Sequence, residues 1–282
     1  MKKSYVKYLL ALLLFGTNGI TASLIRLSSY EIVLLRTLIG SLLLITIFFA
    51  AKGRLSFYKH KKQFAFLCVS GIAMGAGWIF LYEAYQKIGV SLASLMYYCG
   101  PVIVMILSPI LFQEKLTKTK ILSFLAVLAG ILLVNGTEAS GGNDIRGQFF
   151  GVLSAFCYAI MVLFHKKVKH ITGLENAMIQ LFISFLTVAL FVGIKQGYQI
   201  PIESADVLPI FLLGLLNTGA GCYFYFSSIG NLPVQTVAVC GYLEPLSAVI
   251  FSGIFLKETM LPVQMAGAVF IIGGAVYGEL KR

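Results

Sequence analysis

Charge is what this sequence has least of. Asp, Glu, Lys and Arg make up 12% of its 282 residues, against roughly 25% in soluble domains. Acidic residues are the scarcer half, 11 against 22 Lys and Arg, and there are only three histidines and one tryptophan. The hydrophobic share is 59% and the mean hydropathy +0.90. So few charges cannot cover so much apolar surface, which excludes a water-soluble globule of this size. The net charge of +11 is spread between apolar blocks rather than gathered on one face, which argues against a nucleic-acid partner. No Walker loop, GxSxG elbow or HExxH helix occurs, so neither ATP-driven pumping nor hydrolysis is expected. Cys68, Cys99, Cys157, Cys222 and Cys240 are odd in number and all fall in apolar blocks. They predict packing residues, with no disulfide framework, no metal site and no cofactor.

What is present is a series of apolar blocks, each near the ~20 residues that span a ~30 Å hydrocarbon core. Ten are visible: 5–25, 31–51, 63–85, 91–112, 118–136, 147–165, 174–194, 207–229, 234–256 and 261–278. The fold class expected is therefore an all-α polytopic membrane protein of ten transmembrane helices, with no room for a soluble domain. Lys2 and Lys3 ahead of an apolar run resemble a secretory signal. The run continues through Thr17–Ile25 without a small-x-small site, and it is taken as a first span and signal anchor.

The basic residues orient these spans. Alternating loops give sixteen to one side (Lys2, Lys3, Lys7, Lys52, Arg54, Lys59, Lys61, Lys62, Lys115, Lys118, Lys120, Lys166, Lys167, Lys169, Lys281, Arg282). The other side receives five, Arg26, Lys87, Arg146, Lys195 and Lys257, and Arg36 falls within a span. By the positive-inside rule both termini are expected in the cytoplasm, in a multi-pass protein of the cytoplasmic membrane. Some of these cations also face anionic lipid headgroups.

The two halves of the chain match. A spacing of 144 pairs Glu31 with Glu175, Tyr98 with Tyr242, Pro101 with Pro245, Ser108 with Ser252, Glu114 with Glu258 and Gly130 with Gly274. A spacing of 141 pairs Tyr82 with Tyr223 and Ile88-Gly89 with Ile229-Gly230, so a small insertion lies around Asn231–Pro233. Residues 1–140 and 141–282 are expected to be two five-helix repeats. An odd number of spans in each turns the second copy upside down, an inverted repeat of the kind common in secondary transporters.

The segment IGVSLASLMYYCGPVIVMILSPILFQEKLT, followed by ILSFLAVLAGILLV, recurs as LPVQTVAVCGYLEPLSAVIFSGIFLKETMLPVQMAGAVFIIGGAVY. It resembles the EamA-type branch of the drug/metabolite transporter superfamily, whose halves carry a "LEP"-like element in their fourth helix. The resemblance covers essentially the whole chain. It implies a ten-helix basket that exports small metabolites, amino acids or drugs, some members importing instead. The first copy departs from the pattern, with Gly100 where the second has Glu244.

Few residues inside the spans can carry chemistry. Pro101 and Pro245 interrupt spans 4 and 9 at equivalent places. Such interruptions point to a central transport site, or are packing kinks inherited from a common ancestor. Glu244 precedes Pro245 near mid-bilayer, where a charge costs about 2.5–3.5 kcal/mol. It is a candidate for proton exchange or a brace for the break. Glu83 lies near the outer end of span 3, and Arg36 roughly 9 Å inside span 2. They suggest a pair at the outer mouth, either a latch or a site for a cationic and an anionic solute group; snorkelling apart is the alternative.

Asn18 interrupts span 1 beside Gly16 and Gly19, as a solute donor or a helix-contact residue. Tyr82, Tyr97, Tyr98 and Tyr242, with Trp78, Tyr85, Tyr223 and Tyr225 nearby, suggest an aromatic lining suited to amines and amino acids. Glu114 and Glu258 are expected to fix turns. His60, His165 and His170 sit beside lysines and are expected at the membrane interface, not on a metal.

The expectation is a secondary active transporter exporting a small organic metabolite by alternating access, with proton coupling through Glu244 or Glu83. A gradient-independent flippase of a lipid-linked or glycolipid substrate is the alternative. The partners expected are a small-molecule substrate, the bilayer and protons. Monomer and homodimer are equally open.

Overall fold

The computed structural model describes residues 2–88, 90–115, 117–135, 144–255 and 261–280. All its regular structure is helical among the described residues, as expected where backbone groups have no water to bond. The helices are α1 (Lys2–Gly16), α2 (Asn18–Ser23), α3 (Ser29–Ala50), α4 (Lys61–Ile88), α5 (Val90–Tyr97), α6 (Gly100–Phe112) and α7 (Lys118–Asn135). There follow α8 (Ile145–His165), α9 (Gly173–Lys195), α10 (Ser204–Leu212), α11 (Gly221–Ile229), α12 (Val234–Gly241), α13 (Leu243–Phe255) and α14 (Pro262–Leu280). A π-helical turn, Leu213–Ala220, joins α10 to α11 without a break. Lys257, Glu258, Lys281, Arg282 and the boundary between the expected halves lie outside the described residues.

Among the described residues, six helical stretches are long and apolar enough to cross a membrane: Lys2–Ser23, Ser29–Ala50, Lys61–Ile88, Ile145–His165, Gly173–Lys195 and Ser204–Ile229. The others fall within the apolar blocks 91–112, 118–136, 234–256 and 261–278. Two of these blocks are interrupted. Between α5 and α6 the chain turns at Tyr98 and Cys99, and between α12 and α13 at Tyr242. Pro101 and Pro245 then sit in the first turns of α6 and α13. They start helices rather than kink them, because a first-turn N–H has no intrahelical acceptor to lose.

Several helix ends are fixed by carboxylates. Ser28 caps α3 in a capping box: its backbone N–H donates to Glu31 Oε2 at 2.8 Å, and its Oγ accepts from Glu31 N at 3.4 Å. Glu175, the counterpart of Glu31, instead accepts from Ser56 N (2.6 Å), Ser56 Oγ (2.6 Å) and Phe57 N (2.9 Å), tying α9 to the α3–α4 turn. Glu114 accepts from Val234 N (2.8 Å) and Gln235 N (3.2 Å), so it caps α12 in the other half of the chain rather than its own turn. On the other side of the α11–α12 turn, Lys166 Nζ donates to the carbonyls of Ile229 (3.1 Å), Gly230 (3.4 Å) and Leu232. The expected role of Glu114 as a turn-fixing residue thus acts across the halves.

The core is one large apolar cluster with three smaller ones, and α4 packs against both α8 and α9 near its centre. One histidine departs from expectation. His165 is 1% exposed rather than interfacial. His165 is the last residue of α8 and faces the core, while Lys166 and Lys167, past the helix end, are half-buried. Its Nδ1 lies 2.9 Å from Gln180 Oε1 and its Nε2 lies 3.2 Å from the Phe226 carbonyl. Gln180 donates onward to Ser70 Oγ at 2.7 Å.

The matched glycines Gly130 and Gly274 lie where α7 crosses α14. A Cβ on Gly130 would stand 2.6 Å from the Gly267 carbonyl oxygen, and one on Gly274 would stand 2.9 Å from that of Ser123. Ser123 Oγ donates to the Gly274 carbonyl at 2.6 Å, closing the crossing. Gly130→Val is expected to force the two backbones apart at a cost of about 1–3 kcal/mol. A lowered thermal midpoint of the detergent-solubilised protein is the readout.

Candidate substrate cavity

A cavity of about 710 Å³ opens among α1–α5, α8, α11 and α13. That is the volume range of small-molecule sites. Exposed Ser23 and Gln86 and half-buried Ser29 lie at its mouth, while the buried Tyr225 and Phe226 form its floor. The opposite face is closed beneath that floor. Tyr8 is fully buried and donates to the Val237 carbonyl at 2.7 Å, and Lys7 Nζ sits 3.4 Å from Tyr223 Oη.

Of the residues singled out in the sequence, Asn18, Arg36, Tyr82, Tyr97, Tyr98 and Glu244 line this cavity together. Glu83, Tyr242, Pro101 and Pro245 do not. Tyr242 is buried behind the wall, where its hydroxyl donates to the Tyr98 carbonyl at 2.7 Å. That bond joins the two helix interruptions through residues that occupy equivalent places in the two halves. Among the described residues, Asn18 Oδ1 is buried with no donor.

The walls are aromatic. Tyr97 meets Tyr158 edge-on at 5.5 Å between ring centroids, and Tyr82 meets Tyr85 edge-on at 5.2 Å. Tyr158 Oη lies 3.5 Å from Tyr225 Oη. Tyr158 and Phe15 were not singled out in the sequence; a lone tyrosine in the middle of span 6 was the only signal available for Tyr158.

Two charges face this aromatic space. Arg36 is 6% exposed; its Nε donates to Thr218 Oγ1 at 2.9 Å, and its guanidinium carbon lies 4.9 Å from the centroid of Trp78. Such stacking contributes about 0.5–2 kcal/mol. Glu244 stands in the first turn of α13, where the positive end of the helix dipole favours a carboxylate. Among the described residues no hydrogen bond or ion pair reaches its carboxylate, and Arg36 is the cation whose field acts on it.

The expected Arg36–Glu83 pair is corrected by this geometry. Glu83 is ion-paired with Lys195 from the end of α9, whose Nζ also donates to Tyr30 Oη at 2.8 Å and lies 4.1 Å from the Tyr30 ring centroid. Arg36 turns inward toward Thr218 and Trp78. The sequence hid this because Lys195 reads as a loop cation, and position along the chain says nothing of a partner 112 residues away.

A multi-helix membrane fold around an enclosed aromatic cavity with one cation and one carboxylate is the build of a solute carrier. The model of the EamA-like transporter family matches residues 2–136 and 145–277, and the chain belongs to that family, within the drug/metabolite transporter superfamily. It is therefore a multi-pass membrane transporter. It is 23% identical to "Uncharacterized transporter YxxF" of Bacillus subtilis, over 98% of this chain and 89% of that one. Identity is 25% with the "Probable amino-acid metabolite efflux pump" of Salmonella typhimurium, over 75% of this chain and 70% of that protein. A solved crystal structure superposes with a TM-score of 0.84 over 99% of both chains at 18% identity, which speaks to the fold alone.

The Glu83–Lys195 pair is partly exposed, with side chains 16% and 37% accessible. Its contribution is accordingly small. In a double-mutant cycle with Glu83→Gln and Lys195→Met, a coupling of about 0.5–1 kcal/mol in stability is expected. Arg36→Gln combined with Glu83→Gln is expected to be additive.

Proposed function

We propose that this protein is a secondary active transporter that moves a small organic solute by alternating access, in the export direction, with proton coupling at Glu244. The supporting observation is the cavity itself: Glu244 faces it with no partner among the described residues, on the first turn after a helix interruption. A carboxylate so placed in a membrane must be neutralised by a proton or by a cationic group of the solute. Exchange between the two is the simplest coupling device, since solute entry displaces the proton and proton return releases the solute. Arg36 supplies the opposite pole, and the tyrosines and Trp78 supply stacking surface between them. A solute carrying an ammonium group and an apolar body fits this lining, in keeping with the amino-acid metabolite named for the Salmonella relative.

In this reading the chain makes ten crossings. The interrupted pairs α5–α6 and α12–α13 each count as one, and residues 1–140 and 141–282 form two inverted five-helix repeats. Support comes from equivalent residues meeting each other, Tyr242 on Tyr98 and Gly130 beside the α14 segment that holds Gly274. Both termini lie in the cytoplasm of a cell in whose cytoplasmic membrane the protein resides. The cavity mouth at Ser29 and Gln86 then faces outward, and the contacts of Lys7, Tyr8 and Tyr223 close the cytoplasmic side.

The test is reconstitution into liposomes with an imposed pH gradient and a screen of radiolabelled amino acids and amines. Gradient-driven accumulation of at least one of them is expected. Glu244→Gln is expected to lower that uphill flux at least tenfold while solute exchange without a gradient persists. Flux indifferent to the gradient and unaltered in Glu244→Gln would overturn the coupling and favour a gradient-independent carrier such as a flippase.

A further inference from the structure

Arg36 presents a problem in hydrogen-bond accounting. A guanidinium has five N–H donors and no acceptor. Here the side chain is almost completely buried, yet among the described residues only Nε–H finds an acceptor, Thr218 Oγ1. Among the described residues Arg36 makes no salt bridge. Among the described residues its two terminal nitrogens are not among the sealed, partnerless atoms, and Arg36 lines the cavity, so both nitrogens keep access to cavity space. Buried charges are ordinarily paired, and a guanidinium with both outer nitrogens free presents the fork that takes a carboxylate through two parallel bonds.

Thr218 sets this orientation. It sits in the π-helical turn Leu213–Ala220, is itself 0% exposed, and donates its single hydroxyl proton to the Leu213 carbonyl at 2.9 Å. With that proton committed, the oxygen can only accept, and what it accepts is Arg36 Nε–H. The ring of Trp78 holds the guanidinium from its face. Three constraints thus leave one edge of Arg36 unoccupied. The neighbouring Asn217 bonds the Leu14 carbonyl at 2.9 Å and Thr17 Oγ1 at 2.7 Å, which anchors the same π turn to the interruption between α1 and α2. The matching span of the first half, α4, is one uninterrupted helix of 28 residues. The device therefore belongs to the second half only, and π turns of this kind recur at functional sites.

We infer that Thr218 is a positioning residue that presets Arg36 as a carboxylate-binding fork, and that the solutes of this cavity carry a carboxylate. The inference rests on the cavity being the transport site and adds the chemical class of what occupies it.

The sole tryptophan, Trp78, reports on this subsite without labelling. Benzoate and its neutral isostere benzamide are titrated against the emission of purified full-length protein. In wild type, benzoate is expected to change Trp78 emission saturably and at least tenfold more tightly than benzamide. Thr218→Val, which removes the hydroxyl and keeps the shape, is expected to weaken benzoate about tenfold and leave benzamide unchanged. Thr218→Ser restores the preference, and Arg36→Gln abolishes it.

Equal binding of the two probes by wild type, or binding of neither, overturns the subsite. An unaltered benzoate preference in folded Thr218→Val overturns the positioning role. Should Thr218→Val fail to fold, the Thr218→Ser and Arg36→Gln titrations still decide the subsite. Benzoate binding without solute flux in the liposome screen would count against the transport reading alone.

Discussion

In hydrocarbon a backbone group without a hydrogen-bond partner costs several kcal/mol, so a chain in the bilayer can leave the helical path only where other groups or a water-filled space receive what is freed. The arrangement of this protein follows from where it takes that liberty. The turns at Thr17 and at Tyr98–Cys99 border one cavity, and the turn at Tyr242 and the π turn at Leu213–Ala220 bond to residues that line it. Each is held from another element. The Tyr98 carbonyl receives the Tyr242 hydroxyl, and the Leu14 carbonyl and Thr17 hydroxyl receive Asn217. Prolines 101 and 245 begin helices at two of these places, where their missing N–H groups leave nothing unsatisfied.

The same economy governs the ionisable groups. Away from the cavity, carboxylates near helix ends are spent on backbone N–H groups: Glu31 on its own helix, Glu175 on the α3–α4 turn and Glu114 on α12. Glu83 is spent on Lys195. Glu244 and Arg36 are the exceptions, both facing the cavity with hydrogen-bonding capacity that no described residue uses. They come from different halves, and the halves are not alike here, since Gly100 stands where the second copy has Glu244. Gly100 packs against Tyr158, where a Cβ would meet the ring at 2.7 Å, so the first copy gives its equivalent place to the aromatic wall.

Much of this was legible because the spans are apolar and charges rare. Runs of about twenty apolar residues marked the blocks in which the helices lie, and any ionisable group left inside one stood out, as Arg36 and Glu244 did. Matching prolines marked the interruptions. Tertiary partnership was not legible, because spacing along a chain carries no distance between helices. Of the partners open to Glu83, spacing suggests Arg36 while the fold supplies Lys195, and Glu114 holds α12 rather than its own turn. The lysines after His165 gave no sign of its burial, since they follow the end of α8 while His165 itself faces Gln180 and Phe226. The π turn gives no periodic signal at all; Gly214, Asn217, Thr218 and Gly219 resemble any small-residue helix contact.

Under the proposed function, transported solute sits against Arg36 and Trp78 in this cavity. Fluorescence of Trp78 during titration with a solute that the liposome screen shows to be carried tests it most directly. A saturable change in emission is expected, with a midpoint that follows the concentration dependence of flux and an amplitude that weakens in Arg36→Gln. A carried solute that leaves Trp78 emission unchanged across its transport range would contradict it.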